Sequence, residues 1–74
     1  MSRFNFEIVE RIGVIADAGS GWSRELNVVA WNGGKPKLDI RDWSPEHDKM
    51  GKGITLTEEQ GAKLAELLSE RYSR

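Results

Sequence analysis

Trp31, Lys37, Arg41 and Trp43 place two aromatic π-faces and two cations close together in one stretch of chain. Aromatic rings interleaved with Arg and Lys suit a single-stranded nucleic acid: bases stack on the rings and the cations take the phosphates. Each stacked base contributes about 1–3 kcal/mol, so two tryptophans supply several kcal/mol without a basic excess. Lys35 lies in a turn-like Asn32-Gly33-Gly34-Lys35-Pro36 run, and Lys52 sits between Gly51 and Gly53. Neither run has the spacing of a phosphate loop feeding a helix. Glycines flanking Lys52 let the backbone approach a ligand, or serve only as a flexible strand entry.

Other chemistries find little support. His47 is the sole histidine, flanked by Glu46 and Asp48, and there is no cysteine. Neighbouring residues rarely converge on one ion, and no second histidine completes a zinc-type site. That run reads as a solvated loop, with no metal and no cofactor. Ser44 and Thr57 have turn and capping roles available, so neither requires a nucleophile reading. The residues describe a protein that is not an enzyme and takes no small-molecule substrate.

The 74 residues carry 11 Lys+Arg against 12 Asp+Glu. A typical nucleic-acid binder is basic, so phosphate binding here must come from placement of charge. Near-neutrality favours single strands over duplex, whose bases are already stacked. The length fits one domain, 1–74, that is marginal by itself and gains from self-association. No apolar run is long enough to span a bilayer, and the start, Met-Ser-Arg-Phe, does not resemble a signal peptide. The expected location is the cytoplasm, or the nucleoid if the source is bacterial.

Four strands and a helix must position these residues. Phe4 to Asp17 alternates, with Phe4, Phe6, Ile8, Ile12 and Val14 on one face. Ala18-Gly19-Ser20-Gly21 breaks it. Ser23 to Asn32 follows, with Leu26, Val28 and Ala30 on one side and Glu25, Asn27, Val29 and Trp31 on the other. Asn32-Gly33-Gly34 signals a hairpin. Lys37 to Trp43 alternates strictly, Ser44-Pro45 ends it, and Glu46 to Gly51 forms a polar loop before a short strand over Lys52 to Leu56. Thr57-Glu58-Glu59-Gln60 is a capping box. Gly61, Leu64, Ala65, Leu68 and Tyr72 then form an apolar helical stripe.

The expected fold is therefore α+β, β-β-β-β-α: a four-stranded antiparallel sheet over about 4–56 and one C-terminal helix over about 57–73. One helix covers one face, and Phe6, Ile8, Leu26, Val28, Leu38 and Ile40 should take it. Trp31, Trp43, Val29, Arg41 and Lys37 are then left on a face that nothing else in the monomer covers. Such a surface marks interaction. On residues alone two readings stand: ligand contact, or burial of Trp31 and Trp43 at a homodimer interface or under a loop. A protein-interaction domain, binding a peptide or partner through this face, is the alternative function. Trp22, just after a turn, reads as a structural lid. Gly61 costs about 1 kcal/mol in a helix, which a close helix crossing in a dimer explains. Gly61, Leu64, Leu68 and Tyr72 are the expected dimer contacts.

Asp39-Ile40-Arg41-Asp42-Trp43, a polar loop, Gly51-Lys52-Gly53-Ile54-Thr55-Leu56 and an acidic helix start together resemble the C-terminal domain of the transcriptional coactivator positive cofactor four. Trp43 to Leu56, and Arg24 to Asn27, resemble its bacterial, YdbC-type branch most. The resemblance runs from about Phe4 to Tyr72. It implies a curved sheet, a homodimer formed through the helix, and a single-stranded DNA groove on the sheet. It carries the family's DNA contacts onto Lys35, Arg41, Trp43 and Lys52, and approximately onto Trp31. The basic residue that eukaryotic members have before the Gly-Lys-Gly lysine is Gly51 here, and their Ser- and Lys-rich tail is absent. A coactivator role does not follow from the domain alone, and stacking does not separate DNA from RNA.

Overall fold

The computed structural model describes residues 5–73, so Phe4 lies outside it. Strands β1 (Phe6–Gly19), β2 (Trp22–Trp31), β3 (Lys37–Trp43) and β4 (Met50–Leu56) form one antiparallel sheet in the order β1-β2-β3-β4. Helix α1 (Glu58–Tyr72) follows. Both tight hairpins use two consecutive left-handed residues: Ser20 and Gly21 (φ 53° and 83°), and Asn32 and Gly33 (φ 52° and 76°). That geometry matches the right-handed twist of paired strands, and Asn and Gly tolerate it. The second turn is closed by Gly34 N–H donating to Trp31 C=O at 2.8 Å.

The pairing of β1 with β2 departs from simple alternation. Register shifts fall between Ile8 and Glu10, Arg11 and Gly13, Val14 and Ala16, and Asp17 and Gly19. Each inserts one extra residue into β1, so its 14 residues span the 10 of β2. Bulges bend a strand and increase its twist. The effect is visible in the rings. Trp31 and Trp43 sit near opposite ends of β2, since Trp43 pairs with Ser23. In a flat sheet those pairs would be roughly 26 Å apart at 3.3 Å per residue. Yet Phe6 lies 6.0 Å from Trp31 and 5.1 Å from Trp43, centroid to centroid. The sheet curls toward the face that bears the tryptophans, here called the inner face.

The curl reverses the expected location of the core. Phe6 pairs with Trp31 and contacts both tryptophans, so it belongs to the inner face and not to the helix side. Val29 and Trp43 are 0% exposed, while Leu26, Val28, Leu38 and Ile40 on the helix side are only half-buried. The inner face is thus the packed one.

The capping box forms as read: Gln60 N–H donates to Thr57 Oγ1, and Thr57 N–H to Gln60 Oε1, both at 3.1 Å. Glu58 and Glu59 in the first turn and Arg71 in the last complement the helix dipole. Gly61 is buried because α1 crosses β3 there, and a Cβ would run into Leu38 Cδ1. The close approach that a glycine permits is made here to the chain's own sheet. The helix covers little else. Leu67, Leu68 and Tyr72 stay exposed, and an open apolar groove of about 430 Å³ runs between Ile15, Leu26, Leu38 and Ile40 of the sheet and Leu64 and Leu68 of the helix.

β4 meets β3 across a bulge between the Arg41–Gly53 and Trp43–Met50 pairs. At Gly53 a Cβ would collide with Arg41 Cβ and the Ile40 carbonyl. Here glycine admits the chain's own arginine rather than a ligand. Gly53→Ala should therefore destabilise the fold by about 1–3 kcal/mol, the usual range for overpacking, read as a lowered urea midpoint at unchanged m-value.

Candidate nucleic-acid interface

Four rings form a row across the inner face. Trp31 meets Phe6, Phe6 meets Trp43, and Trp43 stacks on His47 at 5.7 Å with the planes 25° apart. Such tilted and offset pairs add about 0.5–1.5 kcal/mol each beyond their buried area. Arg41 brackets the row at the Trp31 end, its guanidinium carbon 4.6 Å from the ring centroid, within cation–π range.

Strand alternation puts Asp39 beside Arg41 on this face. Arg41 donates Nε–H to Asp39 Oδ1 at 2.7 Å and Nη2–H to Oδ2 at 2.8 Å, a bidentate fork. Nη1 donates to the Gly51 carbonyl at 3.2 Å. Thr55 Oγ1 donates to Asp39 Oδ2 at 3.0 Å from β4. Asp39 is 0% exposed and the Arg41 side chain 14% exposed. The arginine is thus spent on a buried carboxylate and a ring.

A second network surrounds Glu25. Ser23 Oγ donates at 2.6 Å and Asn27 Nδ2 at 3.0 Å, and His47 Nε2 lies 2.9 and 3.1 Å from the two carboxylate oxygens. Burial by itself would push the Glu25 carboxyl up. The Ser23 and Asn27 donors, then the His47 hydrogen bond and charge, outweigh it and hold the group below the usual carboxylate range. Trp43 Nε1 and Asn27 Oδ1 are buried with no hydrogen-bond partner among the described residues.

The structure brings Trp31, Arg41 and Trp43 together, but not as an open platform. Trp31 is half-buried and keeps part of its surface accessible. Trp43 is enclosed by Phe6 and His47, which corrects the expectation that no element of the monomer covers it. Of the two readings left open, burial under a loop holds for this ring. Lys35 and Lys37 are exposed at the far end of β3 from Trp43, and Lys52 is exposed in the β4 bulge. Trp22 is half-buried. On the helix, Gly61 is buried, Leu64 half-buried, and Leu68 and Tyr72 exposed.

Sequence reasoning missed two members of the row. His47 does not stand in solvent with the rest of its loop: its side chain is 18% exposed. No local pattern announces that, because its partners lie on other strands. Phe6 was misplaced because bulges do not show in a count of alternating residues.

The site is thus an aromatic, arginine-bearing face on a curled four-stranded sheet with one trailing helix. Residues 18–67 match the family Transcriptional Coactivator p15 (PC4), and the chain belongs to it. The family is nucleic-acid-binding and non-enzymatic. A bacterial relative, named only as an uncharacterized protein of Treponema pallidum (strain Nichols), is 46% identical over 66 residues, covering 89% of this chain and 78% of that protein. No helix among the described residues is long and apolar enough to cross a membrane.

The Glu25 network carries a pH signature. A carboxylate held low in the folded state contributes stability above the ordinary carboxylate range, and that contribution is lost as the pH falls through its folded value. Wild-type stability should drop on acidification more steeply than that of Glu25→Gln, which has no such charge to protonate. Parallel stability–pH curves in urea unfolding would show that the donors do not hold Glu25 low.

Proposed function

We propose that this chain binds single-stranded nucleic acid, DNA in the first place, with little sequence preference, along the rim of its inner face. Its service would be to DNA transactions or transcription regulation. The observation that carries this reading is the meeting of Trp31 of β2 and Arg41 of β3 on one sheet face, near the exposed Lys35 and Lys37, in a family that binds nucleic acid. Trp31 offers the stacking surface, and Arg41 braces it from the other side. Phosphates fall to Lys35, Lys37 and Lys52, whose side chains are exposed. Trp43 supports this surface from beneath.

The division of labour has measurable consequences. Oligo-dT should quench tryptophan emission, and Trp31→Ala should weaken binding by about 1–3 kcal/mol, the contribution of one stacked base. Three phosphate contacts predict a salt slope of only about −2 for a single strand, flattened further when the three lysines become alanine. Unchanged emission with a mixed single strand at low salt would remove the nucleic-acid reading. Matched RNA and duplex arms report the preference among strands.

The same reading includes a homodimer. The apolar groove between α1 and the sheet, with Leu67, Leu68 and Tyr72 exposed beside it, is supported as the self-association surface by its composition and by the short chain's small core. Leu68→Arg should give a monomer, or an unfolded chain, by sedimentation; a stable dimer carrying that change would place the interface elsewhere.

A further inference from the structure

The family match begins at residue 18, so nearly all of β1 lies outside it. This strand forms one border of the inner face, and its bulges decide which of its charges stand there. Residues directly opposite one another in an antiparallel pair project on the same face. Counting by twos from Phe6 puts Glu10 on the inner face and Arg11 behind it. The residue inserted at Val9, between the Ile8–Val29 and Glu10–Val28 pairs, reverses that. Glu10 pairs with Val28 on the helix side, as Glu7 pairs with Ala30, and Arg11 pairs with Asn27 on the inner face. β1 thus turns its two glutamates away from the rings and its single cation toward them.

Arg11 is exposed, and among the described residues it has no ion pair. The acids of the same face are bound to other groups. Asp39 holds Arg41 and Thr55. Glu25, with Arg41 opposite it on β3, holds Ser23, Asn27 and His47. Asp17 accepts from Gly19 N–H at 2.9 Å at the hairpin end. Arg11 also stands beside the stacking ring. Beyond Trp31 the rows across the face are Ile8–Val29–Lys37, then Arg11–Asn27–Asp39, then Val14–Glu25–Arg41. Arg41 meets the Trp31 ring from the third of these rows, so ring and guanidinium together span the two between. Lys37 flanks that span on the β3 side and Arg11 on the β1 side. Two strands and two residues separate their backbones, about 12 Å at about 4.8 Å per strand and about 3.3 Å per residue.

We propose that Arg11 is a phosphate contact of the bound single strand, on the other side of Trp31 from Lys35 and Lys37, so that the strand crosses the sheet over Trp31 from β3 to β1. This rests on the nucleic-acid reading above and extends its surface onto a strand outside the family match. A nucleotide within a strand carries a phosphate on each side. When its base stacks on Trp31, the lysines reach one of the two. The other falls toward β1, where Arg11 is the only cation. A free guanidinium suits that place, because its fork binds two phosphate oxygens at once.

The test is oligo-dT titration of the full chain over a series of salt concentrations, read by tryptophan quenching. A fourth phosphate contact takes the expected salt slope from about −2 to about −3 for a single strand. Arg11→Gln should return it to about −2, and should weaken binding about eightfold at about 50 mM salt and about threefold at about 200 mM, the effect of losing one counterion-releasing contact. Arg11→Lys keeps the charge and should keep the wild-type slope. Glu10→Gln also changes the net charge by one, but on the other face, and should bind as the wild type does. Equal slopes and affinities for wild type and Arg11→Gln would overturn this inference and leave the nucleic-acid reading intact. So would a gain in Glu10→Gln as large as the loss in Arg11→Gln, which would mark an effect of net charge. Weaker binding by Arg11→Gln at an unchanged slope, with a lowered urea midpoint, would make the residue structural and overturn it too. Failure of the wild type to bind at low salt would remove the nucleic-acid reading and this inference with it.

Discussion

The extra residue that β1 inserts at every second residue of β2 is the constraint on which the other features of the sheet depend. A strand with four bulges cannot lie flat against its neighbour. It carries the sheet around until Phe6 meets both Trp31 and Trp43. That contact closes one side of the sheet before the helix contributes anything. The helix is left with a light role, seated on β3 at Gly61 over Leu38 and open elsewhere. An expected two-layer sandwich of helix on sheet becomes a curled sheet packed on its own inner face, with an accessory helix behind.

Packing that face against itself puts polar groups where water is scarce. Glu25, Asn27 and Asp39 are buried alongside Val29 and Trp43. Each carboxylate is surrounded by donors from more than one element. Asp39 receives from β3 and β4, and Glu25 from β2 and the loop between β3 and β4. Ion pairs buried in this way add little to net stability compared with an apolar core, but removing one partner is costly. Their value here is geometric: the fork from Arg41 to Asp39 fixes the guanidinium plane over Trp31, so an aromatic at the surface is held without being covered.

Much of the fold was legible because it rests on local rules. The limits of β3, the Asn32–Gly33 turn and the capping box follow from alternation, Asn-Gly chemistry and the Thr57–Gln60 spacing. What escaped was set by distant pairing. A period of two does not describe β1, because Val9, Ile12, Ile15 and Ala18, the inserted residues, recur every three. That spacing was present in the sequence and was the available signal for the curl. Without it Phe6 went to the wrong face and Trp43 was left open. The association of Trp31, Arg41 and Trp43 on one face survived, because it depends only on β2 and β3, which pair without interruption from Ser23–Trp43 to Val29–Lys37. His47 and Gly61 needed partners on β2 and β3 that spacing along the chain does not supply.

β1 is also an outer strand of an open sheet, and it carries exposed Val9, Ile12, Val14 and Ile15. A long apolar edge with free backbone groups invites further strands to add on, the route to aggregation. Interrupted pairing every third residue denies an incoming strand a continuous run of matched donors and acceptors. The opposite edge, β4, is short and broken by its own bulge and by Gly51 and Gly53. The same irregularity that curls the sheet therefore guards both of its borders, so a protein with this much exposed hydrocarbon is directed to associate through side chains in a groove rather than through its backbone.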